Sequence, residues 1–99
     1  MPNTLEPIHP GEILLEDFMQ PLGISQNKLA RDIDVPTARI NDVVHGRRAI
    51  TADTALRLGK YFGVSAEMWL GLQMEYDIRR ARRDAWPKIE GHIRPLEDA

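Results

Sequence analysis

From Gln26 to Arg48 the chain reads QNKLARDIDVPTARINDVVHGRR, and side chains that hydrogen-bond to nucleic acid recur there at helical spacing. Read as two short helices and a tight turn, the second helix turns Ile40, Val43 and Val44 inward. Thr37, Ala38, Arg39, Asn41, Asp42 and His45 are left facing outward. These types suit a major groove. Arg39 matches guanine or a phosphate, Asn41 adenine or a phosphate, and Asp42 accepts from cytosine, while Thr37 and Ala38 meet thymine methyls or base edges. Gln26, beside the free N–H groups that open the first of the two helices, suits a backbone phosphate. Arg47 and Arg48, just past the second helix, suit phosphates rather than bases.

Other chemistry has little to work with. The chain has no cysteine, so it carries neither a disulfide framework nor a thiolate. His9, His45 and His92 are far apart and lack metal-ligand spacing. There is no phosphate-cradling glycine loop, no HExxH and no nucleophile elbow. Glu12, Glu16 and Asp17 share one helix and form an acid pair only in principle, because a charge run on a helix is ordinarily solvated. No enzyme and no cofactor are expected.

The elements that must position the outward face read as all-helical. A first helix starts near Pro10, with Leu14, Phe18 and Leu22 as its apolar stripe, and Pro21 and Gly23 end it. Ser25 caps a second helix, with Leu29, Ala30 and Ile33 on one face, and Asp34 and Val35 make the turn. Pro36 opens the third helix and Gly46 stops it. Thr51 caps a fourth, whose stripe is Ala55, Leu58 and Phe62, with Asp53 in its first turn. Ser65 caps the fifth and longest, with Trp69, Leu72 and Tyr76 along one face. Pro87, Gly91 and Pro95 break the tail, where Ile89 and Ile93 fit a short strand. One domain is expected over 1–99: a core over 8–64, a long helix over 65–86 and a tail over 87–99.

The formal net charge is −2, from 13 basic and 15 acidic residues, but it is unevenly laid out. Residues 1–24 hold Glu6, Glu12, Glu16 and Asp17 and no Lys or Arg, whereas 25–48 carry a net +2. A second basic cluster, Arg79, Arg80, Arg82 and Arg83, follows near the end of the fifth helix. DNA feels charge within about 8–10 Å, so the acidic excess elsewhere does not forbid a DNA-facing stretch. It does argue against sequence-independent binding as the main role. No apolar run approaches a membrane span. MPNTLEPIHPGEILLEDF lacks a basic lead and a small-residue cleavage site, so a cytoplasmic location is expected.

Counted from Gln26, the paired helices resemble the helix-turn-helix of phage-repressor-type regulators. Ala30 is the small residue where the helices cross, and Leu29, Ile33, Val35, Ile40 and Val43 fix the angle. Asp34 departs from the glycine common there, at a turn that needs positive φ, which Asp tolerates better than most residues. HPGEIL at 9–14, ARINDVVHGRRAITADTALRLGKYFG at 38–63 and SAEMWLGLQMEYDIRRAR at 65–82 extend the resemblance to the HigA/VapI antitoxins of bacterial toxin–antitoxin modules. The resemblance implies a five-helix, phage-repressor-like fold and a dual role. Such antitoxins bind a RelE-like mRNA endonuclease toxin, and they dimerise and repress their own operon at a palindromic operator.

Apart from the resemblance, a single helix-turn-helix reads few base pairs, so two copies about one DNA turn apart are expected, and with them a homodimer. The fifth helix is apolar on more than one side, which makes Trp69, Leu72, Met74 and Tyr76 the candidate dimer contacts. Glu12, Glu16 and Asp17 are the candidate contacts to a basic toxin. A stand-alone repressor without a toxin is the alternative, and the DNA-facing element cannot separate the two.

Overall fold

The computed structural model describes residues 6–97. Six helices follow in order: α1 (Pro10–Ile13), α2 (Gln26–Asp32), α3 (Thr37–Val44), α4 (Ala52–Phe62), α5 (Ala66–Asp84) and α6 (Trp86–Ile89). The fold is all-α, as expected, with one short helix more than the five read from the pattern.

HPGEIL has a physical explanation residue by residue. The Nδ1 of His9 accepts the Gly11 N–H at 2.8 Å, capping α1, and Pro10 stands at a first-turn position that needs no N–H. A Cβ on Gly11 would lie 1.8 Å from the carbonyl oxygen of Val43, so only glycine lets α1 rest on the end of α3. After Ile13 the helix widens into a π turn, Leu14–Met19. The N–H of Gln20 bonds to Leu15 O and that of Ile24 to Met19 O, each at 2.9 Å. A five-residue step therefore carries Leu14 and Met19 into the core. Leu22, expected on a stripe of four-residue steps, is instead 64% exposed.

The two helices of the reading unit are joined as the turn chemistry requires. Ser25 Oγ accepts the Lys28 N–H at 3.0 Å. Asp34 has φ 61°, and the Val35 N–H returns to Ala30 O at 3.0 Å. Leu29, Ala30, Ile33, Ile40 and Val43 are all buried, with Val35 half-buried against them. Thr51 and Ser65 cap α4 and α5.

Two expectations for the C-terminal half need correction. Trp69 is not at a subunit surface. It is wholly buried, with its ring 4.9 Å from Phe18 and 6.5 Å from Phe62. The start of α5 crosses α4 and the π turn there, and the largest side chain fills the junction. Leu72 is half-buried, with one side against the core. The short strand does not form: Ile89 ends α6, and Ile93 follows a 3₁₀ turn over Glu90–His92. A single candidate strand has no partner to pair with, and Pro87 fits the first turn of a helix.

Beyond Gln73, α5 leaves the core. The radius of gyration is 16.7 Å, against about 13 Å for a compact chain of this length. Met74 and Ile78 are 59% and 42% exposed on this projecting part.

His9 packs edge-on to Tyr76 of α5, with ring centroids 4.8 Å apart. Burial pushes its pKa below the ordinary 6.5, Asp77 opposes that, and Arg80 adds to it. Below about pH 6.5 the unfolded chain takes up a proton that folded His9 resists. Stability is therefore lost as pH falls below that value and levels off below the folded pKa. The lowered carboxylates Asp32, Asp53 and Asp84 act only below their ordinary 3.8 and so in a separate window. Thermal unfolding should show Tm falling between about pH 7 and 5, and His9→Asn, which caps without titrating, should flatten that slope.

Candidate nucleic-acid interface

Ile40, Val43 and Val44 bury one side of α3 and leave the other bare. Thr37 and Ala38 are exposed at its first turn, Asn41 and Asp42 are half-buried, and His45 is exposed at the end. The His45 Nδ1–H donates to Asn41 O at 2.8 Å, closing the helix C-terminus.

Across this face runs a chain of side-chain bonds. Asn41 Nδ2 donates to Gln26 Oε1 at 3.1 Å, tying α3 to the first turn of α2. Arg47 Nη2 donates to Asn41 Oδ1 at 2.6 Å, and Arg47 Nε to Asp42 Oδ1 at 3.2 Å. Four of the eight residues singled out for nucleic-acid contact are thus brought into one network. Both amide atoms of Asn41 bond within the protein and brace Gln26 and Arg47, and its second N–H remains to donate. The Gln26 amide nitrogen remains to donate outward, beside the helix start that suits an anion. Thr37, Ala38 and Arg48 lie exposed outside the network.

Arg39 departs from the expectation of a free outward side chain. It sits at the edge of α3 nearest α4, and its Nη1 donates to Asp53 Oδ2 at 2.9 Å. Arg57 Nε donates to the same oxygen at 2.9 Å, while Arg57 Nη1 reaches Ile33 O and Asp34 O at 2.7 and 3.0 Å. The hydrogen bond from Arg57, and then that from Arg39, holds the Asp53 carboxyl below its ordinary pKa. One acidic side chain of α4 therefore clamps α3 and, through Arg57, caps the turn. Asp53 was legible in the sequence only as a first-turn acid. The four-residue spacing from Asp53 to Arg57 was the available signal for the rest.

Glu12, Glu16 and Asp17 are exposed on the first helix and its π turn, apart from the α2–α3 network. Among the candidate dimer contacts, Met74 alone is exposed. Tyr76 is half-buried between His9 and the Arg80 guanidinium, which lies 5.4 Å from its ring centroid. Ile78, one turn on from Met74, went unremarked in the sequence although its spacing marked it. Among the described residues no His, Cys, Asp and Glu group could hold a metal ion, and no helix is long and apolar enough to cross a membrane.

Residues 15–69 match the helix-turn-helix family profile. Virulence-associated protein I of Dichelobacter nodosus is 49% identical over 82 residues, which is 83% of this chain and 76% of that protein. The chain belongs to the HigA/VapI family of helix-turn-helix antitoxins. An addiction module antidote protein of the HigA family from Coxiella burnetii has the same fold, with TM-score 0.85 and 47% identity over 92% of this chain and 99% of that one. Antitoxin HigA of Pseudomonas aeruginosa, solved with the higBA promoter, aligns with TM-score 0.88 and 44% identity over 93% and 100% of the two chains. Proteins of this family are regulators, not enzymes.

The clamp on Arg39 has a consequence for DNA that can be measured. Asp53→Asn should free Arg39, raise affinity for a scrambled duplex and steepen the salt dependence of log K by about 1. Arg39→Ala should weaken binding by about 1–3 kcal/mol with relaxed base preference if it reads guanine. An equal loss on all duplexes would mark a phosphate contact instead, and fluorescence anisotropy against salt distinguishes these outcomes.

Proposed function

We propose that this chain is the antitoxin of a toxin–antitoxin pair: it binds operator DNA as a homodimer to repress its own operon, and it captures a RelE-like mRNA endonuclease. The observation that carries the DNA role is the braced face of α3, where Gln26, Asn41, Asp42 and Arg47 are held together before any ligand arrives. Preorganised donors avoid part of the ordering cost on binding. Membership in a family with a member solved on promoter DNA supports the same assignment. Thr37 and Ala38 meet base edges, and Gln26, Arg47 and Arg48 meet phosphates.

The dimer is assigned to the projecting part of α5. Met74 and Ile78, one turn apart and both exposed, form an apolar strip that the chain's own core does not cover. Met74→Glu with Ile78→Glu should yield a folded monomer by light scattering and lower operator affinity. A dimer mass for the doubly charged variant would remove this strip from the interface.

Toxin capture is assigned to the exposed Glu12, Glu16 and Asp17, since a basic RNA-cutting protein is steered by clustered carboxylates. Glu12→Lys with Glu16→Lys should slow association with the toxin encoded beside this gene, most strongly at low salt. Operator affinity should hold or rise slightly. Normal association by the charge-reversed variant contradicts the assignment. A neighbouring frame without toxin activity leaves a stand-alone repressor.

A further inference from the structure

Gln73, the last residue of the Trp-Leu-x-Leu-Gln motif, is 7% exposed and belongs to α5, yet it serves the loop that follows α3. Its Oε1 accepts the Ile50 N–H at 2.8 Å across 23 residues of sequence. Its Nε2 donates to Asp77 Oδ1 at 3.0 Å, which fixes the orientation of the amide. Ile50 itself is 2% exposed, so its N–H has no access to water to replace this partner.

The loop from α3 to α4 is consequently pinned at both ends. At the near end the N–H groups of Gly46 and Arg47 return to Val43 O and Asp42 O at 3.0 and 2.8 Å. At the far end Gln73 holds Ile50. Between the anchors at Arg47 and Ile50 lie Arg48 and Ala49, and all three residues from Arg47 to Ala49 are exposed. We infer that Gln73 is a positioning residue for DNA binding: through the Ile50 N–H, α5 sets where Arg47 and Arg48 present their charge to the phosphate backbone. This role rests on the DNA-binding reading above and adds a route from α5 to the DNA face.

A leucine at 73 leaves the Ile50 N–H buried without an acceptor, and the loop must lift to reach water. A glutamate at 73 meets the Asp77 carboxylate and swings away. Asparagine at 77 restores a donor to that glutamate, and the double variant keeps the native net charge. Gln73→Leu should lose amide-exchange protection at Ile50 and bind a short duplex cut from the DNA directly upstream of the gene about tenfold more weakly, with the salt slope reduced by about 1–2. Gln73→Glu should behave alike, and Gln73→Glu with Asp77→Asn should recover both protection and slope. Should Gln73→Leu fail to fold, the comparison of Gln73→Glu with its rescued partner decides.

A folded Gln73 variant with unchanged affinity and slope overturns the positioning role while leaving DNA binding intact. Lost Ile50 protection with unchanged DNA binding overturns it equally. A native chain that binds neither this duplex nor a scrambled one removes the DNA reading itself, and the role with it. Stability alone does not mimic the expected result, because a merely less stable chain keeps its salt slope.

Discussion

The reading helix has eight residues and must be buried on one side and bare on the other. Everything around α3 follows from that division. Ile40, Val43 and Val44 can reach the core only if α1 approaches closely, and Gly11 permits it by presenting no Cβ to the Val43 carbonyl. The steep entry of α3 needs a residue at φ 61°, which Asp34 supplies at a position where a β-branched residue would be strained. A helix this short is marginal on its own, so its shape is borrowed from tertiary packing.

The bare side is not left loose. Arg47, Asn41 and Gln26 bond in sequence across it, and Asp53 restrains Arg39 at its edge. This bears on the acidic composition. Asp42 and Asp53 lie beside the basic groups of the face and offset part of their field, so the surface presents shaped donors more than bulk positive charge. A surface built this way favours fit over nonspecific attraction. The exposed carboxylates of the first helix and its π turn, Glu12, Glu16 and Asp17, are a separate feature.

What was legible in the sequence was local or periodic. The caps at Ser25, Thr51 and Ser65, the positive φ at Asp34 and the packing positions of α2 and α3 each obey short-range rules, and the structure has them. What escaped came from longer-range geometry. The π turn replaces the four-residue step from Phe18 to Leu22 with the five-residue steps Leu14–Met19–Ile24, and no pattern of apolar residues announces such a change of period. Trp69 reads as surplus on an amphipathic helix until α4 and the π turn close over it. Arg39 counts as outward on a helical wheel, yet the partner that captures it lies 14 residues away. Gln73 showed only as part of a motif, because its bond to Ile50 depends on how α5 crosses the loop.

In the proposed reading, one surface made of the start of α2, the first turn of α3 and the loop after it meets DNA. Amide chemical-shift mapping of the native chain titrated with the duplex upstream of its gene tests this most directly. The largest changes are expected at Gln26, Thr37, Ala38, Arg47 and Arg48, with Glu12, Glu16 and Asp17 unmoved. Changes centred on the first helix or on the projecting half of α5, with α3 silent, would contradict it.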